Sequence, residues 1–409
     1  MTGTLKSNRI FNRFFTSIFI ANACLSLSQQ MTNSLIAIYA DYLGATAAIV
    51  GIVASTFAVT ALLFKIVSAP MADTFNRRYI LMGAMLVLSL VYFGYSISHS
   101  VSTLIFFRLL QGAAMAFTAT CSLALAADSL PAEKFSTGIG IFSMAQAASM
   151  AIGPTIALAL AAQFGYTVTF SITGAMMLLA VLVASQVKVD YKKTKNFSIS
   201  LDRFVAKEAL VQAALLVFLM MTFSVIGAFL ILYAGIKGVA NIGFYFTVYA
   251  CTLLFTRPLV GKLTDKFGLV KLLVPAMGIF ALSFYIISIA DTLPMFLLAA
   301  FISGFGFGAC QPAIQSLTMK CVPSERRGAG SSTNFIGMDI GILTGPVIAG
   351  FLVENFGFTT MWRLMIIPIF IAFCLVIIYR RRIKQIEDDF ENQNLGGSAP
   401  KPPQAFVKA

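Results

Sequence analysis

The chain has 409 residues, of which 58% are hydrophobic and only 11% charged, and its mean hydropathy is +0.87. Soluble domains carry about a quarter charged residues, so these values exclude a soluble protein and point to an integral membrane protein. A single histidine, His99, excludes a histidine-based metal cluster or catalytic constellation, and the net charge of +13 is accounted for by membrane topology rather than by nucleic acid.

About 20 apolar residues cross the hydrocarbon core as a helix, and uncharged runs of that length recur twelve times. The predicted spans are 13–40, 46–70, 79–98, 102–127, 135–162, 167–187, 208–234, 239–261, 270–290, 293–319, 328–355 and 359–379. Such long runs contradict a closed β-barrel, whose strands alternate over about ten residues, so the predicted class is all-α integral membrane. Of the 29 Lys and Arg, 24 fall on the side that holds both termini and two, Lys237 and Arg363, on the other; Lys65, Arg108 and Arg257 lie within spans. By the positive-inside rule both termini are expected in the cytoplasm, with the chain in a cell (inner) membrane.

The first span follows Lys6, Arg9 and Arg13, but it is too long for a signal peptide and eleven more spans follow it. Its sequence NACLSLSQQMTN places Asn22, Ser26, Gln29, Gln30 and Asn33 on one stripe about 100° wide. Amides left in hydrocarbon cost about 1–3 kcal/mol each, so the stripe faces either a polar space or hydrogen-bonding partner helices. The six cysteines lie in or beside spans with no paired spacing, so no disulfide is expected.

Sliding the chain on itself by 192 residues aligns 51–167 with the second half without a gap. Asp73 pairs with Asp265, Gly112 with Gly304, Gly153-Pro154 with Gly345-Pro346, and Phe164-Gly165 with Phe356-Gly357. Two pseudo-symmetric six-helix bundles of parallel topology follow, over 1–187 and 208–380, joined by a polar, basic linker at 188–207. Residues 381–409 turn charged and then Gly/Pro-rich, and a disordered cytoplasmic tail is expected there. Two such halves around a central cavity support alternating access, and no ATP-binding loop is present to drive it.

These motifs make the chain resemble the major facilitator superfamily along essentially its whole membrane portion. The family's loop signature Gly-x-x-x-Asp-x-x-Gly-Arg-Arg appears as APMADTFNRR at 69–78, keeping Asp73, Arg77 and Arg78 but not the glycines. The second copy, GKLTDKFGLVK at 261–271, keeps Gly261, Asp265 and Gly268 but not the arginines. An Asp at the cytoplasmic end of the second span can face the N-terminus of the eleventh only while that side is closed, so Asp73, Arg77, Arg78 and Asp265, with Lys65 and its repeat-equivalent Arg257, form the expected gating set. The plainer alternative is that the two acids are neutralised by neighbouring basic residues.

FRLLQGAAMA in the fourth span resembles the family's Arg-x-x-Gln-Gly signature, here Arg108, Gln111 and Gly112. A guanidinium near the bilayer centre costs at least about 2.5–3.5 kcal/mol, so Arg108 either meets water or a polar partner, or snorkels to the nearby surface. Gly153-Pro154 is the remnant of the signature that marks antiporter branches of the family. The resemblance implies a proton-driven exporter of small molecules like the drug/proton antiporters, with the first span of each half lining the cavity. The other candidate is an uptake carrier for a polar metabolite or organic anion, with Arg108 and Lys65 as counter-charges. An integral-membrane enzyme is disfavoured by the absence of any His, acid and Cys cluster.

Asp339 is the only carboxylate well inside a predicted span, and Gly337, Gly341 and Gly345 lie on the opposite face of its helix. Burial favours the neutral form of an acid, toward the range where protons are taken up and released, so Asp339 and Arg108 are the candidates for proton coupling. Against this stands a structural ion pair between Asp339 and Lys65, which lies about 12 Å deeper than Asp73. The expected substrate contacts are Asn22, Ser26, Gln29, Gln30, Asn33, Arg108, Gln146, Gln311, Gln315 and Asn334. The expected partners are a small-molecule substrate, protons and the bilayer, for a chain acting as a monomer with no cofactor.

Overall fold

The computed structural model describes residues 11–129, 135–186, 205–322 and 327–394. Its elements are α1 (Arg13–Tyr42), α2 (Ala47–Thr74), α3 (Arg77–Ser96), α4 (Val101–Ser129), α5 (Phe135–Ala184), α6 (Leu210–Ile236), α7 (Phe244–Phe267), α8 (Leu269–Ile289), α9 (Leu293–Cys321), α10 (Arg327–Leu364), α11 (Ile366–Ile378) and α12 (Arg380–Asn394). Among the described residues no strand is present, and 8 helical spans are long and apolar enough to cross a membrane. α1 is not among them, because the amides and hydroxyls of its polar stripe lower its hydropathy.

Two of the eight run over 41 and 47 residues, twice what one crossing needs. Each is interrupted by a glycine in a left-handed conformation, Gly165 at φ 79° in α5 and Gly357 at φ 77° in α10. These are the repeat-equivalent Phe-Gly pairs, and only glycine takes that backbone without a Cβ penalty.

Large apolar side chains stand on the outer surface, Phe255 76% and Phe370 62% exposed among them, where lipid rather than water suits them. Inside, α1 packs on α5 and α2 on α4, while α6 packs on α10 and α7 on α9. The first set meets the second where α2 lies against α10, α5 against α7 and α1 against α6. Positions 337, 341 and 345 press on α6 so closely that a Cβ there would stand 2.5, 2.4 and 2.1 Å from the carbonyls of Ala213, Val217 and Met221. That face of α10 is therefore committed to α6, and Asp339 is turned toward α2.

One expectation is corrected. Residues 380–394 of the charged tail are helical, not disordered, because Ile383 and Ile386 give α12 an apolar edge that seats against α8 and α9. The linker at 188–204 and the tail beyond 394 lie outside the described residues.

Candidate functional site

A cavity of about 510 Å³ opens between α1, α2, α4 and α5 on one side and α6, α7, α9 and α10 on the other. The stripe on α1 supplies Ser26, Gln29, Gln30 and Asn33, and α5 adds Gln146, so the first wall presents amides and hydroxyls beside Phe57, Lys65, Arg108 and Met115. The opposite wall is aromatic: Phe223 of α6, Tyr245, Phe246 and Tyr249 of α7, and Phe307 of α9. Phe223 and Phe307 stack with centroids 4.2 Å apart and planes 16° apart, and Phe223 stacks on Tyr249 at 5.7 Å.

Lys65 Nζ donates to Asp339 Oδ2 at 2.5 Å, tying α2 to α10 across the cavity. The geometry follows from helix direction. Gly51 lies against Pro346 and Gly350 against Ala47, which sets α2 and α10 antiparallel with Asp339 about level with Ala58. Side chains lean toward the N-terminus of their own helix, so Lys65 and Asp339 lean toward each other and meet between their two levels. Lys65 also sits over the Phe335 ring, 5.3 Å from its centroid.

Arg108 does not snorkel; it is 1% exposed. Its Nε donates to Val53 O at 3.1 Å, Nη1 to Asn33 Oδ1 at 3.2 Å and Gln111 Oε1 at 2.8 Å, and Nη2 to Ala54 O at 2.6 Å. The guanidinium also lies 4.5 Å from the Phe57 centroid, and Tyr95 donates to the same Gln111 oxygen at 2.7 Å. All of these partners are neutral.

The remaining expected contacts divide. Gln311 lines the cavity together with the residues above. Asn22, Gln315 and Asn334 are not part of its lining. Asn22 is buried in α1, a turn beyond Ser26. Asn334 accepts from Thr318 Oγ1 at 2.8 Å, and Gln315, one turn past Gln311, donates to Met338 Sδ at 3.7 Å; both side chains are used in holding α9 to α10. Of the gating set, Arg77 Nε donates to Ala72 O at 2.9 Å and Arg78 Nη2 donates to Ser185 O, joining the α2–α3 turn to the end of α5. The side chains of Asp73, Arg257 and Asp265 lie outside the described residues.

A second space of about 500 Å³ lies toward the α1–α2 turn, lined by Asp41, Ala47, Val50, Ile236 and Phe358. The packing of Gly51 on Pro346 stands between the two, and Thr247 Oγ1 donates to Ala151 O at 2.6 Å, so the halves are in contact at that end.

The profile of the Major Facilitator Superfamily matches residues 18–240 and 213–407. The chain belongs to the Major Facilitator Superfamily. It is a multi-pass membrane transporter and not an enzyme, with efflux pumps among its relatives. An uncharacterized MFS-type transporter of Methanocaldococcus jannaschii is 24% identical over 85% of this chain and 92% of its own. The multi-drug resistance efflux pump PmrA of Streptococcus pneumoniae is 26% identical over 75% of this chain and 80% of its own. Among solved structures, a mutant of the nucleoside transporter NupG superposes with a TM-score of 0.77 at 14% identity, covering 90% of this chain and all of its own. A bacterial homolog of the human lysosomal transporter Spinster, inward-facing and occupied, gives 0.76 at 16% identity over 91% and 97%. At these identities the structures speak for the shared fold alone.

Proposed function

We propose that the chain is a proton-coupled secondary transporter that exports small molecules by alternating access. The observation that carries this reading is the Lys65–Asp339 pair: the one acid in the middle of a helix reaches across the cavity to the other half. While Asp339 is ionised the pair ties α2 to α10, and a proton on Asp339 removes the charge that holds Lys65. The occupancy of one carboxylate by a proton thus biases how the halves sit, which is what coupling requires.

The proposed arrangement is twelve crossings in two six-helix bundles, residues 1–187 and 208–380, in a cell (inner) membrane with both termini cytoplasmic. It is supported by the eight apolar spans, by the glycine breaks that make two of them double, and by α1 and α7 as further crossings. With that orientation the contact at the α1–α2 turn closes the outer side, and the described state faces inward.

A second reading is proton-coupled uptake of a polar metabolite or organic anion, favoured by the unbalanced charge of Arg108. Flux in inside-out vesicles under an imposed proton gradient separates the two by direction. In the same assay Asp339→Asn is expected to abolish gradient-driven transport while substrate binding stays measurable. Unchanged transport by that variant ends the coupling role of Asp339.

A further inference from the structure

We infer that the substrates of this cavity are small amphipathic aromatic carboxylates, and that lipophilic cations are disfavoured. The inference rests on the reading of the cavity as the carrier's substrate site and holds for either direction of transport.

The argument is one of charge balance. Two cations, Arg108 and Lys65, line the cavity with one acid, Asp339, and Lys65 already holds that acid at 2.5 Å. Arg108 remains charged in any environment a protein offers, yet its four hydrogen bonds go to two backbone carbonyls and two side-chain amides. The other acids of α1 to α10 stand at helix ends or beside a break in the backbone. Asp41, Asp73, Asp128 and Asp265 occupy the last turns of α1, α2, α4 and α7, and Glu354 stands three residues before the break at Gly357. The central cavity therefore carries an uncompensated positive charge between low-dielectric walls, where charges are weakly screened.

A carboxylate would complete that balance and an ammonium would worsen it. The fifth N–H of the guanidinium, on Nη2, has no acceptor among the described residues, and Arg108 is one of the residues that line the cavity. Of the rings that line the cavity, Phe57 already has the Arg108 guanidinium over its face and is not open to an organic cation. The rest of the ligand follows from the walls. The stacked Phe223–Phe307 pair suits a flat ring, the amide wall facing it suits polar substituents, and about 510 Å³ suits a drug-sized molecule.

The test is equilibrium binding to the purified, lipid-reconstituted protein of three probes on one scaffold: 1-naphthylacetate, 1-naphthylacetamide and 1-naphthylmethylammonium. The carboxylate is expected to bind tightest, by about tenfold or more over the ammonium. Asp339→Asn, which frees Lys65, is expected to tighten carboxylate binding further, whereas a cation site anchored on Asp339 would lose its ligand. Arg108→Gln is expected to bring the three probes within a few-fold of one another. Thermal unfolding identifies a misfolded variant, and the Asp339→Asn arm decides the matter if Arg108→Gln is one. An ammonium that binds as tightly as the carboxylate overturns the inference, as does a carboxylate that fails to bind at about 1 mM. Because these are binding measurements, they can fail while proton-driven flux stands, and the reverse.

Discussion

Lys65 and Asp339 show what a single pair can and cannot do. Their side chains are 29% and 12% exposed, so the pair is wet on the lysine side and nearly dry on the acid side. Removing the lysine strands a carboxylate that water barely reaches, a change that costs about 3–5 kcal/mol for a fully buried pair and less here because the cavity is open to solvent. A double-mutant cycle is therefore expected to be asymmetric. Lys65→Gln should destabilise more than Asp339→Asn, and the double variant should recover part of the loss, with a coupling of about 1–3 kcal/mol in thermal or denaturant unfolding. Additive single effects would mean that the contact is electrostatically idle. The pair was legible in sequence as one of two alternatives, because the four-residue glycine spacing fixed the face of Asp339 and counting back from Asp73 fixed the depth of Lys65. The surroundings of Arg108 were not legible, since Val53 O and Ala54 O are backbone groups that any residue would present.

At the scale of elements, the repeat explains a difference between the halves. Asn76 starts α3 and its side chain accepts from Arg78 N at 3.0 Å, a self-made N-cap. The position 192 residues on is Gly268, which adopts φ 81° and offers α8 no side chain. The missing cap arrives from elsewhere: Leu269 N donates to both carboxylate oxygens of Glu387 on α12, at 3.0 and 3.3 Å. A negative group at a helix N-terminus is favoured by the dipole as well as by the hydrogen bonds. Glu387→Ala is expected to cost about 0.5–2 kcal/mol and to raise amide exchange at the α7–α8 turn, while Asp388→Ala, an exposed neighbour, leaves both unchanged. Equal exchange in the two variants would remove α12 from any role at that turn. Sequence composition concealed this helix, because a stretch rich in Arg, Glu and Asp reads as solvated chain until its two isoleucines have a surface to meet. The same offset also relates positions that line the cavity. Phe57 and Tyr249, Met115 and Phe307, and Ala54 and Phe246 are repeat-equivalent pairs, and every member lines the cavity. Which second-half positions line the cavity was therefore readable from the first half, but their aromatic character was not, since only Phe57 among the first-half partners is aromatic.

At the scale of the whole molecule, alternating access requires the contacts now closed at the α1–α2 turn to open. Two of those contacts show where a lock could be placed. On one, the close packing of Gly51 on Pro346 leaves no room for a side chain. On the other, Thr247 Oγ1 meets Ala151 O at 2.6 Å where α7 crosses α5. The second offers a place for a lock that does not wedge the helices apart, because the Thr247 side chain already reaches the Ala151 backbone and neither position is a glycine. In a chain whose six native cysteines are replaced, Ala151→Cys with Thr247→Cys is expected to crosslink under mild oxidation, since the described state holds the two residues together. A disulfide there blocks separation of α5 from α7, so flux should fall by about tenfold or more and return on reduction, with each single variant insensitive to oxidant. Binding measured on the crosslinked protein should survive, because the cavity lies beyond the lock and Gln146, Phe223 and Tyr249 are left in place. Full flux through the crosslinked protein would mean that the halves do not part at this contact, and that the solute leaves by a path other than the α1–α2 end.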